Sequence, residues 1–325
     1  MIATQETLLK EIEKAIDKIE YSIHVESLVE PIKYILSLGG KRMRPMLVLN
    51  AYKLFKDDFK SVIKHALAVE VFHNFTLMHD DIMDEAPIRR GKPTVHVKMG
   101  VNTAILSGDA MLIQSYEMFK DLVSDKLSKV LSKFNRCAID VCEGQQLDML
   151  FEKKSIVSVD EYLHMISLKT AVLLGFSLEL GAILADAPEK DAELLYNIGL
   201  EAGIGFQIMD DYLDLYGEAS KVGKQVGGDV LINKKTFLLC NLLNLASTED
   251  LTLINAWLEK KDFKAEEKIN FFKNQFEKYE IPTLTQKAIE EKYKFAIESV
   301  SQLNADRLKK GALKKYLSAF MGRES

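Results

Sequence analysis

Apolar positions recur at helical spacing over most of the chain, while alternation of the strand type is scarce. Residues 5–37 predict two amphipathic helices broken near His24-Val25, with Pro31 near the start of the second. Gly39 and Gly40 end that helix. Pro45 can open the next, a short buried helix from Met46 to Phe55. Ser61 to Met83 is long and apolar, with acidic residues at its C-terminal end. Glu85 to Thr94 is a loop, punctuated by two prolines and a glycine. Helix resumes from His96 to Leu122, with Gly108-Asp109 as an interior break, then over Asp125–Phe151, Val159–Ala185 and Asp191–Tyr216. After a glycine-containing loop to Asp229, helices are expected at 237–245 and 250–259. The stretch 258–280, rich in Lys, Glu and Phe, predicts a solvated amphipathic helix, and Pro282 starts a last helical region ending near Phe320. The fold class is all-α. No polar linker divides the chain, so residues 1–325 are expected to form one domain.

Composition agrees: Ala, Leu, Glu and Lys are abundant, prolines number six and apolar residues make up 47%. The net charge of -5, with both signs interspersed, shows no nucleic-acid footprint. Cys137, Cys142 and Cys240 form neither a CxxC nor an even framework, which predicts buried thiols in a reducing compartment. The longest apolar stretch, Ala171 to Ala185, contains Glu179 and is too short to span a bilayer. The segment Thr4 to Ile23 resembles neither a signal nor a transit peptide, so the expected location is the cytoplasm.

Two stretches carry the chemistry. Asp80-Asp81-Ile-Met-Asp84 closes the long helix, and Asp210-Asp211-Tyr-Leu-Asp214 repeats the pattern. Asp80 and Asp84 share a helix face, where like charges repel. Keeping them beside apolar residues calls for positive charge from elsewhere, and carboxylate oxygens are the ligands Mg²⁺ takes. Two such helices facing each other would make a bowl of six carboxylates for metal ions and a polyanion. Lys41 and Arg44, between the glycines and a helix start, suit an anion. Arg89 and Arg90 follow the first motif and can fork onto phosphate oxygens. Aspartates beside paired arginines fit a diphosphate. Lys169 either snorkels to the surface or faces the bowl with Thr170.

In order along the chain stand GGKRMRP (39–45), DDIMD (80–84), RRGKPT (89–94), KTA (169–171), FQIMDDYLD (206–214), GKQVGGD (223–229) and KKT (234–236). This set resembles the trans-isoprenyl diphosphate synthases, or polyprenyl synthetases. The resemblance implies a single bundle of ten or more helices around a central cavity, commonly as a homodimer. It also implies a head-to-tail prenyltransferase joining isopentenyl diphosphate to allylic diphosphates. Asp80, Asp84 and Asp210 are then the main Mg²⁺ ligands, supported by Asp81, Asp211 and Asp214, with three ions once diphosphate is bound. Arg89, Lys169 and Lys224 contact the allylic diphosphate. Lys41, Arg44, His73 and Arg90 hold isopentenyl diphosphate. Thr170 and Gln207 carry oxygens that can face the developing cation, and Lys234 closes over the diphosphate. His79 adjoins the aspartates, but hard Mg²⁺ prefers oxygen, so it is expected to be a structural histidine.

Product length is expected to be set upstream of Asp80. Phe75 lies about 7–8 Å back along the helix and Phe72 about 12 Å. In the family an aromatic five residues before the first motif marks short products. With Thr76 rather than a second aromatic beside Phe75, the pattern looks like enzymes making the C20 product, geranylgeranyl diphosphate. Phe72 leaves farnesyl diphosphate, C15, as the alternative. A terpene cyclase would not need the second diphosphate site of Lys41, Arg44 and the arginine pair. A non-catalytic partner subunit would typically lack an intact pair of aspartate motifs.

Overall fold

The computed structural model describes residues 4–217 and 227–321, and these are mostly helical, as expected of an all-α chain. By its contacts the chain divides into two compact units, one of residues 1–135, 176–195 and 304–313, the other of 136–175, 196–303 and 314–325.

The first unit is organised around α4 (Ile63–Met83). Around it stand α1 (Gln5–Ile16), α2 (Glu26–Ser37), α3 (Met43–Phe55), α5 (Val95–Met99) and α6 (Val101–Glu117), and α6 makes the most extensive contact with α4. Consecutive residues from His65 to Phe72 are all buried, so α4 has no solvent stripe over that stretch. Phe72, 1% exposed, meets Phe134 edge-on at 5.1 Å, and Phe134 in turn packs against Tyr116, Phe119 and Phe176.

Three expectations differ here. Pro31 lies inside α2 rather than at its start. Gly108 does not break its helix, because α6 runs through it and the interruption falls at Gly100, whose φ is 93°. Gly108 is instead where His79 of α4 seats, since an added Cβ would lie 2.2 Å from His79 Nε2. The loop after α4 contains a two-stranded hairpin, β1 (Ile88–Arg89) with β2 (Lys92–Pro93). Its turn residues Arg90 and Gly91 both have positive φ, the backbone that two-residue hairpin turns require.

The second unit contains most of α7 (Ser124–Lys153), all of α8 (Val159–Ile166), and most of α10 (Glu189–Tyr216). A capping box at Ser158 and Glu161 starts α8. A π-turn over Ser167–Ala171 joins α8 to α9 (Val172–Leu184), so Lys169 and Thr170 lie where the helical ladder is widened. Gly144 allows this turn to approach α7, because a Cβ there would stand 2.2 Å from the Lys169 nitrogen. Val159–Leu184 is therefore continuous helix, longer than the apolar stretch in the sequence. It is long and apolar enough to cross a membrane by length and composition, but 78% of its most apolar window is buried inside the protein.

Downstream come α11 (Gly228–Leu231), α12 (Phe237–Leu245), α13 (Thr248–Glu259), α14 (Ala265–Lys278), α15 (Ile281–Ser299) and α16 (Arg307–Met321). Phe237 and Cys240 of α12 join the cluster around Tyr162, Ile204 and Ile208, whereas its Leu238, Leu239, Leu242 and Leu243 join another with Phe272 and Phe276. That second cluster takes up the apolar face of the amphipathic helix expected within 258–280: α14 buries Lys268, Phe272 and Phe276. Cys142 is exposed, contrary to expectation, while Cys137 and Cys240 are buried.

Candidate active site

In the first unit the basic loop is built on Arg42, which takes left-handed backbone at φ 48° to start α3. Its buried guanidinium donates to Glu13 and Glu70, each at 2.9 Å, and to the Leu36 carbonyl at 2.7 Å. Arg42 is thereby the anchor of the loop, leaving Lys41 exposed and Arg44 half-buried on either side. Arg90, on the hairpin turn, donates to the Gly39 carbonyl and lies against Gly40. The hairpin is tied down by Thr94, whose hydroxyl donates to Ala86 O at 2.8 Å, and by Tyr34, which donates to Pro93 O at 2.7 Å. Two motifs separated by some fifty positions thus share one surface.

His73 of α4 belongs to that surface. Burial, together with Arg44, Arg90, Arg89 and Arg42, holds its imidazole well below the usual histidine range, so it is a neutral hydrogen-bonding group. Burial also pulls the Arg90 guanidinium down, and Arg42 and Arg89 add to this against Glu70 and Asp81. Arg42, Arg44, Arg89 and Arg90 all act on His73, so several cations are gathered where an anion would be stabilised.

The first aspartate motif ends α4. Asp84 is the C-cap, its N–H donating to Asp80 O at 2.8 Å. Asp81 is buried, and Arg89 grips both its oxygens, Nε standing 2.9 Å from Oδ1 and 2.8 Å from Oδ2, and Nη2 2.7 Å from Oδ1. Asp80 stays half-buried and Asp84 exposed. His79 hydrogen-bonds the Ile105 carbonyl of α6 at 3.1 Å, the structural role its hardness mismatch with Mg²⁺ suggests. Upstream, Phe75 is half-buried, 5.6 Å from the Phe72 ring and 4.9 Å from His79. The Thr76 hydroxyl donates back to His73 O at 2.8 Å.

The second motif, in the second unit, repeats the division of labour. Asp211 is buried and accepts from the Tyr162 hydroxyl, from Gln207 Nε2 at 3.1 Å and from the Phe237 N–H at 2.9 Å. Burial pushes its carboxyl up to about 7 despite Lys234 and these donors. Asp210 is exposed, and Asp214 is half-buried, accepting from the Asp229 N–H at 3.0 Å. The Thr170 hydroxyl donates to Gln207 Oε1 at 3.1 Å, which links the π-turn to the motif. Lys169 is half-buried and pairs with Asp148 at 2.6 Å, so it does not simply snorkel. Lys234 stands 3.7 Å from Asp229 Oδ1. Burial lowers its ammonium, but Asp229, Asp211, Asp148 and Asp210 outweigh that and raise it. Lys224 lies outside the described residues.

Among the described residues no three His, Cys, Asp or Glu side chains converge as a preformed metal cage. Mg²⁺ does not require one, since it keeps waters and binds through one or two carboxylates plus substrate phosphates. Asp80, Asp84 and Asp210, less buried than Asp81 and Asp211, suit that mode. Tyr162, Asp148 and Arg42 went unassigned in the sequence. The signals in it were partial: Asp148 is a polar residue on a core face, and Arg42 is the third cation of its loop. Nothing local marks Tyr162, whose partner is 49 positions away.

The polyprenyl synthetase family model matches residues 25–275. A geranylgeranyl pyrophosphate synthase of Geoglobus acetivorans is 42% identical over 66% of this chain and 67% of its own. A farnesyl diphosphate synthase of Bacillus subtilis is likewise 42% identical, over 65% of this chain and 74% of its own. A crystal structure of geranylgeranyl pyrophosphate synthase superposes with a TM-score of 0.94 at 42% identity, covering 99% of this chain and all of the other. The chain belongs to the polyprenyl synthetase family.

Proposed function

We propose that this protein is a Mg²⁺-dependent, head-to-tail prenyltransferase that extends allylic diphosphates with isopentenyl diphosphate and stops at geranylgeranyl diphosphate. The observation that carries this reading is the pattern repeated in both motifs. The second aspartate is buried and clamped by protein donors, and its flanking carboxylates are less buried. Asp80, Asp84 and Asp210 would hold Mg²⁺, three ions with diphosphate bound, with Asp81, Asp211 and Asp214 behind them. Bound Mg²⁺ supplies positive charge that stabilises the diphosphate leaving group.

The chain's own groups do the rest. Arg89, Lys169 and Lys224 orient the allylic diphosphate. Lys41, Arg44, neutral His73 and Arg90 hold isopentenyl diphosphate on the surface where these arginines gather around His73. Thr170 and Gln207, bonded to each other, keep lone pairs for the allylic cation. Lys234 closes over the diphosphate, and the departing diphosphate accepts the proton. One domain, 1–325, performs the reaction. The exposed apolar side chains Val101, Ile105, Leu106 and Ile113 on α6 support a homodimer. A reducing, cytoplasmic location is proposed from the sequence, where Cys137, Cys142 and Cys240 form neither a CxxC nor an even framework.

Product length is tested by incubating the protein with Mg²⁺, labelled isopentenyl diphosphate and each allylic starter, then sizing the alcohols after dephosphorylation. A C20 alcohol is expected. The contact between Phe72 and Phe75 favours the one competing reading, in which both rings form the floor and a C15 alcohol appears. No condensation with any starter would overturn the proposal.

A further inference from the structure

Lys268 is fully buried, 0% exposed, in the first turn of α14. A buried ammonium is costly unless every donor is used. Lys268 Nζ donates to the Leu231 carbonyl at 3.1 Å and to Asn233 Oδ1 at 2.6 Å, and it lies 4.3 Å from the centre of the Phe263 ring. Among the described residues no carboxylate forms an ion pair with it. Its partners are instead the last carbonyl of α11 and the side chain of a left-handed residue, Asn233 at φ 60°. Asn233 is held from a second side, because its Nδ2 donates to the Leu258 carbonyl at 2.8 Å. A single left-handed residue is a sharp change of direction. Beyond it the Lys234 N–H returns to Asp229 O at 2.9 Å, with the Lys234 ammonium 3.7 Å from the Asp229 carboxylate. The same segment is tied to the second motif, since Asp214 accepts from the Asp229 N–H.

We propose that Lys268 is a positioning residue for the condensation: by holding Leu231 and Asn233 it sets the turn that aims Lys234 at the diphosphate. This rests on the function proposed above. The test compares steady-state kinetics of Lys268→Met, Lys234→Ala and the double variant in Mg²⁺. Lys268→Met keeps the apolar stem and removes the donors. It should lower kcat on the order of tenfold, the scale of loss for a group displaced by under an ångström. KM for isopentenyl diphosphate should not change. In the Lys234→Ala background the same substitution should cost less than about twofold, because coupled residues are not additive. An unchanged kcat, or an equal loss in both backgrounds, overturns the proposal.

If Lys268→Met does not fold, Asn233→Gly carries the same test, since it keeps the left-handed turn accessible and removes the acceptor. The thermal stabilisation produced by Mg²⁺ with inorganic diphosphate separates the two failures. If the wild type shows that stabilisation but does not condense, the proposed function falls. Lys268 is then judged by whether Lys268→Met loses most of the stabilisation, as expected, or keeps it.

Discussion

Arg42 and Glu70, each 3% exposed, form a pair that neither could replace alone. Arg42→Met leaves the Glu70 carboxylate and the Leu36 carbonyl buried without their cation. The expected loss is about 3–5 kcal/mol by denaturant unfolding. Glu70→Gln in addition should recover part of it. His65 is an opposite case: a buried ring stacked 6.4 Å from Phe119, with no hydrogen-bond partner for either nitrogen among the described residues. Burial, aided by Lys64 against Asp121, holds its pKa down at about 4. The unfolded chain protonates this histidine near pH 6.5 while the folded protein does not. Its contribution to stability is therefore full above pH 6.5 and lost as pH falls towards 4, on the order of 2–3 kcal/mol. Unfolding measured between pH 7 and 4 should be less pH-dependent in His65→Leu than in the wild type.

At the scale of elements, the seat of α4 against α6 sets where the first motif stands. Gly108→Ala would drive a methyl into His79, one residue before Asp80, and overpacking of that kind costs about 1–3 kcal/mol. Activity should fall more than unfolding stability implies, and His79→Ala should partly rescue Gly108→Ala in both assays. Along the same helix the two phenylalanines should separate. Phe75→Ala should lengthen the product, seen as alcohols longer than the wild type's. Phe72→Ala removes a ring from a closed aromatic core and should chiefly destabilise, by about 3–5 kcal/mol. An unchanged product in the double variant would remove both from the floor.

For the molecule as a whole, two dependences follow from the proposed function. Chelation of Mg²⁺ should abolish condensation and restoration should recover it, whereas the helical signal should persist, because each clamped aspartate is held by protein donors. Ile113→Asp on the exposed side of α6 should shift the sedimentation of a dimer towards the monomer. The molecule in which these substitutions act was legible only in part. Helix placement was readable because apolar periodicity is local, as over Val159–Ala185 and 237–245. The order of the seven motifs carried the resemblance to the family, and the resemblance implied the enzyme class. Gly108 was misread as a break because a glycine's local signal is the same whether it ends a helix or admits a neighbour.

The chain alone thus determined an all-α fold, the carboxylate pairs and the cationic loops, since each depends on residues within a few turns of one another. Only the tertiary structure decided which member of each group is spent on architecture. Arg42 rather than Lys41 is buried as the anchor, and Asp81 and Asp211 are clamped while Asp84 and Asp210 stay exposed. Phe72 closes a core, and Lys268 supports a turn 35 positions away. The physical reason is common to all of them: burial and hydrogen-bond satisfaction are settled by partners distant in sequence, and residues of one type carry no local mark of which will find them.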